Sequence, residues 1–153
     1  MNPIRKILAL VAGFALQALA AWAEFGEQLC VPGLTAAASL NHHQYGVVRM
    51  AAATTVNIAS EVNVSGGLKT AFGILQNKPY VNEAAQVAVL GLSKAFGGGT
   101  ITAGDPISYD SSGHVVNAAS GDVVIGRAME TAATAGEIVT VLLFPPVRWG
   151  SVA

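Results

Sequence analysis

The sequence predicts a mainly β fold: a small β-sandwich or barrel-like domain preceded by an N-terminal apolar helix and an extended arm. From Tyr45 onward Val, Ile and Thr are frequent and Gly-rich turns recur at short intervals, which is typical of all-β domains. No strand–helix–strand repeat of sufficient length appears, so a parallel α/β sheet is not expected. The first 44 residues follow a different pattern. We therefore divide the chain into a helix and linker arm at 1–44 and a β-rich domain at 45–153.

Seven strands are predicted in the β-rich domain, each a short run of apolar and β-branched residues bounded by turn-forming residues. They cover residues 45–50, 54–64, 70–76, 85–91, 106–110, 123–129 and 137–144. In 137–144 both faces of the strand are apolar, so both should be covered. Either this is the central strand of the core, or another subunit packs against it.

The N-terminal segment begins with two basic residues and continues as an apolar run from Ile7 to Ala23, interrupted only by Gln17. Three interpretations remain open: a helix buried by protein, a secretory signal peptide with AWA at 21–23 as its cleavage site, or a short membrane anchor. Pro32 and Gly33 then break the chain, and residues 31–44 are interpreted as a linker or arm that leads into the β body.

The low charge content indicates that much of the surface contacts other protein chains. The sequence is 52% hydrophobic and only 11% charged, against a usual charged share of about 25%. We expect interface residues in the apolar N-terminal segment, at two arginines and at the tail tryptophan. These are Ile7, Val11, Phe14, Trp22, Phe25, Arg49, Arg148 and Trp149. Whether Trp149 contacts a partner or folds back onto its own domain stays open.

The tail that carries Trp149 contains two consecutive prolines, Pro145 and Pro146. Proline lacks the main-chain donor that a sheet requires on both sides of a strand. The tail is therefore not expected to continue a central strand.

The charge distribution gives no indication of a nucleic-acid partner. The net charge is −1, and the eight basic residues are scattered along the chain. Nucleic-acid binding normally requires Lys and Arg clustered on one surface. Neither nucleic acid nor a membrane is expected as a partner. Cys30 is the single cysteine, so an intrachain disulfide and a Cys-based zinc site are excluded.

Motifs for catalysis, cofactors and metals are missing from the sequence. His42 and His43 are adjacent, and His114 follows a turn sequence, so no triad or zinc spacing results. The GGLKT run at 66–70 lacks the Gly directly before Lys that a phosphate loop needs. Asp110 lies beside a turn, where solvation or turn capping is expected, and the spaced series of ligands that a calcium loop needs is absent. We predict no enzyme activity, no cofactor and no metal.

Residues 71–144 resemble the capsid cement, or head-decoration, proteins of tailed bacteriophages. The matching pieces occur in the family's order: GILQNKP at 73–79, EAAQVAVLG at 83–91, ITAGDPI at 101–107, Asp110 and Gly113, GRAME at 126–130 and AGEIVTV at 135–141. Two features depart from that pattern. Residues 1–40 have no counterpart, and Asn82 stands where a glycine is expected before Glu83.

The resemblance implies a β-rich homotrimer on the outer surface of a virion, where it binds the major capsid protein and stabilises the shell mechanically. The main alternative is a secreted or membrane-anchored β domain of a bacterial envelope. That alternative depends on the signal-like start of the chain.

Overall fold

The computed structural model describes residues 28–59 and 71–148, and every regular element in them is a β-strand. The prediction of a mainly β fold is confirmed. The strands are β1 (Gln28–Val31), β2 (Thr35–Ala36), β3 (Val47–Ala52), β4 (Thr55–Ile58), β5 (Ala71–Leu75), β6 (Val87–Phe96), β7 (Pro106–Tyr109), β8 (Val115–Asn117), β9 (Val123–Ala128) and β10 (Ile138–Arg148). The predicted N-terminal helix lies outside the described residues.

The strands form one sheet in the order β2-β4-β3-β5-β6-β10-β9-β7-β8, and β1 pairs with β6 as a branch. All pairings are antiparallel except the short one between β2 and β4. The far end of the sheet curls back to β6: Gly97 bridges Val115 of β8, and the Gly98 N–H donates to the Val115 carbonyl at 2.8 Å. This contact brings β8 beside the end of β6.

β6 is the strand on which the two halves of the sheet meet. It pairs with β1 and β5 near its start and with β10 from Gly91 to Phe96. Gly91 has φ +90°, a conformation that glycine adopts without the steric cost a side chain would bring. A glycine at this point lets one long strand change partners and direction along its length.

Two hydrophobic clusters cover both faces of the first half of the sheet. Val47 and Ile74 belong to a central cluster with Ile107, Val115, Val139 and Val141 among its members. Their chain neighbours Val48 and Leu75 belong to a second cluster with Leu34, Leu40 and Val56. Because successive strand residues point to opposite faces, β3 and β5 contribute to both clusters.

All seven predicted strands occur, with different bounds. The strand predicted at 85–91 continues to Phe96, and the one predicted at 54–64 ends at Ile58, with residues 60–70 outside the described part. β1, β2 and β8 were not predicted. They are two to four residues long and carry too little alternation to be recognised without their partners.

The prediction of a linker or arm at 31–44 is corrected by the structure, which describes the chain from residue 28 and shows residues 28–44 paired with or packed against the β body. This portion forms β1 and β2 and buries Leu34, Ala36 and Leu40 in the second cluster. Main-chain bonds fix it in place, among them Ala36 N–H to the Glu83 carbonyl and Leu40 N–H to the Pro79 carbonyl, both 2.9 Å. The three apolar side chains are removed from water only when this segment packs against the β body. The free energy gained by that burial exceeds the preference of the local composition for a loop.

The prolines of the tail do not end β10, but the tail does not continue as a central strand: the pairing of β10 with β6 stops at Leu143, and beyond it β10 pairs with β9 alone among the described residues. The strand continues to Arg148, but its pairing with β9 is irregular between Leu143 and Val147, where Pro145 and Pro146 lie. Pairing resumes at Val147 opposite Val124. The prolines thus lie in the irregular stretch, where no residue of β10 is paired with β9 and the missing N–H of proline is tolerated.

Asn82, which departs from the family pattern, has φ +65°. This left-handed region favours glycine, and asparagine tolerates it better than most other residues. The local geometry therefore explains why a glycine is expected at this position and why asparagine can replace it.

Candidate interaction surface

β10 buries one face and exposes the other. Val139, Val141 and Leu143 point into the central cluster, whereas Ile138 and Leu142 on the opposite face are 48% and 40% exposed. β10 lies between β6 and β9 in the sheet. The apolar second face predicted from the sequence is therefore present on a central strand, and the described residues leave it partly uncovered.

The exposed face extends from β10 over β6 to β1. Leu142 lies opposite the half-buried Leu92, and Leu29 lies opposite Leu90. Leu29 is 58% and Leu90 is 44% exposed. We refer to Leu29, Leu90, Leu92, Ile138 and Leu142 as the apolar outer face. A contiguous group of large exposed side chains is typical of a protein interaction site.

Charged and polar groups border the apolar outer face. Lys94 is opposite Thr140, and Arg127 of β9 is opposite Leu142. The Arg127 guanidinium donates to the Gly104 carbonyl at 2.7 Å. The Glu130 carboxylate accepts the Thr140 N–H at 2.9 Å, and this hydrogen bond lowers the pKa of Glu130. An apolar centre with a polar border resembles the usual anatomy of a protein–protein interface.

Of the interface residues predicted from the sequence, two lie in the described part of the chain. Arg49 of β3 is half-buried, and its Nε has no hydrogen-bond partner among the described residues. Arg148 is exposed at the end of β10. β5 and β6 separate their strands in the sheet, so the two arginines are not neighbouring strand residues. Ile7, Val11, Phe14, Trp22, Phe25 and Trp149 lie outside the described residues.

The apolar outer face was missed by the sequence analysis except at 137–144. Leu29 is in the segment interpreted as helix or linker, and Leu90 and Leu92 fall at the end of a predicted strand or beyond it. The antiparallel register brings them together, and that register depends on contacts between residues about 60 positions apart.

Two of the three histidines approach each other, which their spacing in sequence does not indicate. Burial lowers the pKa of His43, and the nearby charges of His114 and His42 lower it further. His114 Nδ1 is 3.3 Å from a carboxylate oxygen of Asp110, and its ring centroid is 4.9 Å from that of Phe96. This group joins the loop before β3 to the turn between β7 and β8.

Of the two roles expected for Asp110, solvation or turn capping, the structure shows turn capping. Its Oδ1 accepts the N–H groups of Ser112 and His114 at 2.8 and 2.9 Å. This turn also supports β3, because the Val47 N–H donates to the Gly113 carbonyl at 2.7 Å. Residues 28–59 and 71–148 contain no group of three or more His, Cys, Asp or Glu side chains arranged to hold a metal ion. In the same residues no helix is long and apolar enough to cross a membrane.

Comparison with known proteins identifies the family. The chain is similar in structure to the head fiber gp8.5 N base of bacteriophage phi29, with a TM-score of 0.56, 19% sequence identity, and coverage of 76% of this chain and 95% of that one. At this identity the match shows a shared fold. No curated protein matches the sequence closely enough to identify a relative.

The model of the phage cement protein family matches residues 33–143, which is more than two thirds of the chain. This range contains β2 to β9 and most of β10, including the segments on which the resemblance was based. The chain therefore belongs to the phage cement protein family, and it is a β-rich structural component of a bacteriophage virion, located on the exterior of the capsid.

Proposed function

We propose that this protein binds the outside of a phage capsid and stabilises the shell by adding protein–protein contacts, without catalysis. The observation that carries this proposal is the match of residues 33–143 to the phage cement protein family, and the apolar outer face of a chain with only 11% charged residues adds a surface that needs a protein partner. Burying such a face against protein is favourable by roughly 25 cal/mol per Å² of apolar surface. Stabilising a capsid in this way requires only that the protein binds to it, and no chemical reaction.

The partner proposed for the apolar outer face is a second copy of the chain, within a homotrimer. Leu29, Leu90 and Leu142 lie on a sheet rather than on a loop, so they form a firm surface that can be repeated around an axis. The border of Lys94 and Arg127 leaves charged groups near the solvent at the edge of such a contact.

The partner proposed on the capsid is the major capsid protein. The apolar N-terminal segment, with Ile7, Val11, Phe14 and Trp22, would supply the contact with the shell. Three linked copies would bind together far more tightly than one, because the second and third binding events become intramolecular. An individual interface of ordinary size buries about 1,600 Å².

Binding to phage heads that lack the protein tests this proposal. Purified full-length chain is mixed with such heads, the heads are sedimented, and occupancy is measured by densitometry against the major capsid subunit. We expect saturation at a fixed ratio and heads that survive a higher temperature. Protein that stays in the supernatant, or occupied heads of unchanged stability, would contradict the proposal.

A variant lacking residues 1–27 separates the two contacts. It retains β1 and the buried residues of the former arm, so it should fold and form trimers. We expect it to bind heads much more weakly than the full chain. Intact mass of the protein on native virions adds a check on the envelope alternative: a chain that begins at Met1 agrees with a virion protein that keeps this segment, and one that begins at Glu24 indicates export.

A further inference from the structure

The turn between β7 and β8, residues 110–114, connects the far end of the sheet to its middle. At the start of β3, the Val47 N–H donates to the Gly113 carbonyl at 2.7 Å. Just beyond β6, the Gly98 N–H donates to the Val115 carbonyl at 2.8 Å. These two hydrogen bonds hold the curled sheet closed, and we refer to residues 110–114 as the closing turn.

The closing turn packs too tightly against its neighbours to accept one more methyl group. A Cβ at Gly113 would lie 2.9 Å from the Val47 carbonyl oxygen. A Cβ at Gly98 would lie 2.9 Å from Asp110 Oδ2 and 3.1 Å from His114 Cβ. Because closely packed segments do not deform gradually, a charge that is unfavourable at this contact is relieved by separating the segments.

Two histidines from different segments lie close together at this contact. His43 precedes β3, and His114 belongs to the closing turn. His114 Nδ1 is 3.3 Å from Asp110 Oδ2, so a positive charge on the His114 ring has a carboxylate beside it. Among the described residues, the ionisable groups of this contact are His42, His43, Asp110 and His114, and the end of β6 contributes the uncharged ring of Phe96.

The environment of His43 disfavours a positive charge on its ring. Burial is the main cause, and the charges of His114 and His42 act in the same direction, so that the pKa of His43 lies below 6.5. The loop that carries His43 is anchored, because its N–H donates to the Leu40 carbonyl at 3.0 Å and Leu40 is buried in the second cluster. The Gly46 N–H donates to the His43 carbonyl at 2.9 Å. Movement of the closing turn is therefore the easier way to separate the two rings.

We propose that acid opens the closing turn: protonation of His43 beside His114 separates residues 110–114 from the loop before β3, while the rest of the sheet stays paired. The opening breaks the two main-chain bonds that Val47 and Gly98 donate. It leaves the ladder between β7 and β9 and the ladder between β6 and β10 in place. The open form is a minor state whose population rises as the pH falls. The inference concerns the free chain and does not depend on capsid binding.

The direction of the pKa shift fixes the pH range of the opening. The pKa of His43 is lower in the closed form than in the open form, in which water solvates the ring. The open form therefore binds more protons, so the contact has its full strength above pH 6.5 and weakens as the pH falls toward the lower pKa of the closed form. Because one proton is bound, the opening equilibrium changes by at most about tenfold per pH unit.

Amide hydrogen exchange of the full chain, resolved by NMR, tests this proposal. The Val47 and Gly98 amides report on the closing turn, and the Ala85 amide, which donates to the Leu34 carbonyl at 2.9 Å, reports on the second cluster. Protection is measured at pH 7.5 and 5.5, after correction for the intrinsic exchange rate, and in low concentrations of urea. We expect the protection of Val47 and Gly98 to fall about fivefold or more at the lower pH.

The dependence of exchange on urea distinguishes a local opening from unfolding of the whole domain. A local opening exposes little surface, so exchange at Val47 and Gly98 should change little with urea, whereas exchange at Ala85 should rise steeply. If the three amides share one urea dependence at pH 5.5, the closing turn does not open by itself and the proposal is wrong. Equal protection of Val47 and Gly98 at the two pH values would also overturn it.

Two variants and one titration test the role of His43. His43→Asn removes the titrating ring and should reduce the fall in protection to about twofold or less. His42→Asn, at the exposed neighbouring position, is the matched control and should keep most of the fall. A fall that persists in His43→Asn, or that His42→Asn abolishes, would overturn the proposal. In the parent protein the NMR signals of the His43 ring should titrate with a midpoint below 6.5, and a midpoint at or above that value would contradict the proposal without any variant.

Discussion

The side-chain amide of Gln76 donates a hydrogen bond of 2.9 Å to the hydroxyl of Ser93. This contact joins the end of β5 to the second half of β6, and Ser93 is one of two buried polar residues in the described part of the chain. The same amide also donates to the Ile74 carbonyl at 2.9 Å. Gln76 belongs to the GILQNKP segment, so one polar residue of the family pattern has a structural role.

Ser93→Ala should reduce the free energy of unfolding by about 1 kcal/mol, the usual net value of one such hydrogen bond. The loss stays small because the Gln76 amide keeps its bond to Ile74. Urea denaturation measures the change as a lower midpoint at unchanged slope. Ser120→Ala, at an exposed position, is the control and should leave the midpoint unchanged. A midpoint for Ser93→Ala equal to that of the control would contradict the role of this bond.

Gly73→Ala and Gly126→Ala should each destabilise the fold strongly. A Cβ at Gly73 would lie 2.2 Å from the Ala88 carbonyl oxygen, and one at Gly126 would lie 2.4 Å from the Leu142 carbonyl oxygen. Because the atom in the way belongs to the backbone of the neighbouring strand, that strand must move. This movement lowers the free energy of unfolding by about 1–3 kcal/mol or more. Thermal denaturation is the measurement. Gly99→Ala, where a Cβ meets nothing within 4 Å, should melt like the parent protein.

Leu142→Glu should disrupt association while leaving the fold intact. Leu142 is exposed in the single chain, so a charge there stays solvated until a partner covers it. We expect the molar mass in solution to fall to that of a monomer and head occupancy to drop at least tenfold, while the circular dichroism spectrum stays that of the parent; the melting temperature falls only by the contribution of association. Ser120→Glu adds the same charge away from the apolar outer face. If both variants keep the parent mass and occupancy, this face is not the contact between copies.

The stability of the protein should fall as the pH is lowered through about 6.5, in part because of His43. Burial and the neighbouring histidines lower its pKa below the ordinary value of 6.5, so the unfolded chain binds more protons in this range. The contribution of His43 to the free energy of unfolding is therefore fully present above pH 6.5. It is lost as the pH falls toward the pKa of His43 in the folded chain, which is lower. His43→Asn should flatten the dependence of denaturation midpoint on pH between 7 and 5.

At pH 8 the comparison of His43→Asn with the parent protein serves as the control. His43 is neutral there in both the folded and the unfolded chain, so the proton-linked difference is absent. A pH profile of the variant that parallels the parent would show that other groups carry the dependence.

Glu137→Ala should lower the melting temperature at pH 7 and have a smaller effect at pH 3. The carboxylate accepts bonds from the Thr134 hydroxyl at 2.9 Å and from the Thr134 and Ala133 N–H groups at 3.1 and 3.3 Å. These bonds lower its pKa below 4.5, so their contribution is present above that pH and is lost as the pH falls through the lower folded value. Melting curves at the two pH values provide the measurement. Thr134→Val removes only the hydroxyl and should cost less.

From Val47 onward, local sequence patterns were sufficient to predict each strand that contains several apolar residues. β10 was recognised by its apolar residues and the turn before it, and its unusual second face pointed to a contact surface. Asn82 illustrates how a local departure can be informative, since the structure gives it the positive φ that a glycine would adopt. In each of these cases the signal lies within a few residues of the element itself.

Other features depend on residues that are distant in sequence. Leu34 and Leu40 were assigned to an arm because Pro32, Gly33 and the polar residues around them favour a loop, yet both leucines are buried. His43 and His114 are brought together by the contact between two loops. Neither case has a local signal, because burial and proximity are properties of the packed chain.

The sequence by itself determined the mainly β class, the low charge that calls for protein neighbours and the order of segments that marks the phage cement family. Only the tertiary structure decided that β1 and β6 place Leu29 beside Leu90, that β10 leaves Leu142 exposed, and that Leu34, Ala36 and Leu40 belong to the core. Side-chain alternation along a strand is set locally. Which side of a sheet remains uncovered depends on which strands pair and in which register. The free energy that selects this register comes from the whole packed core.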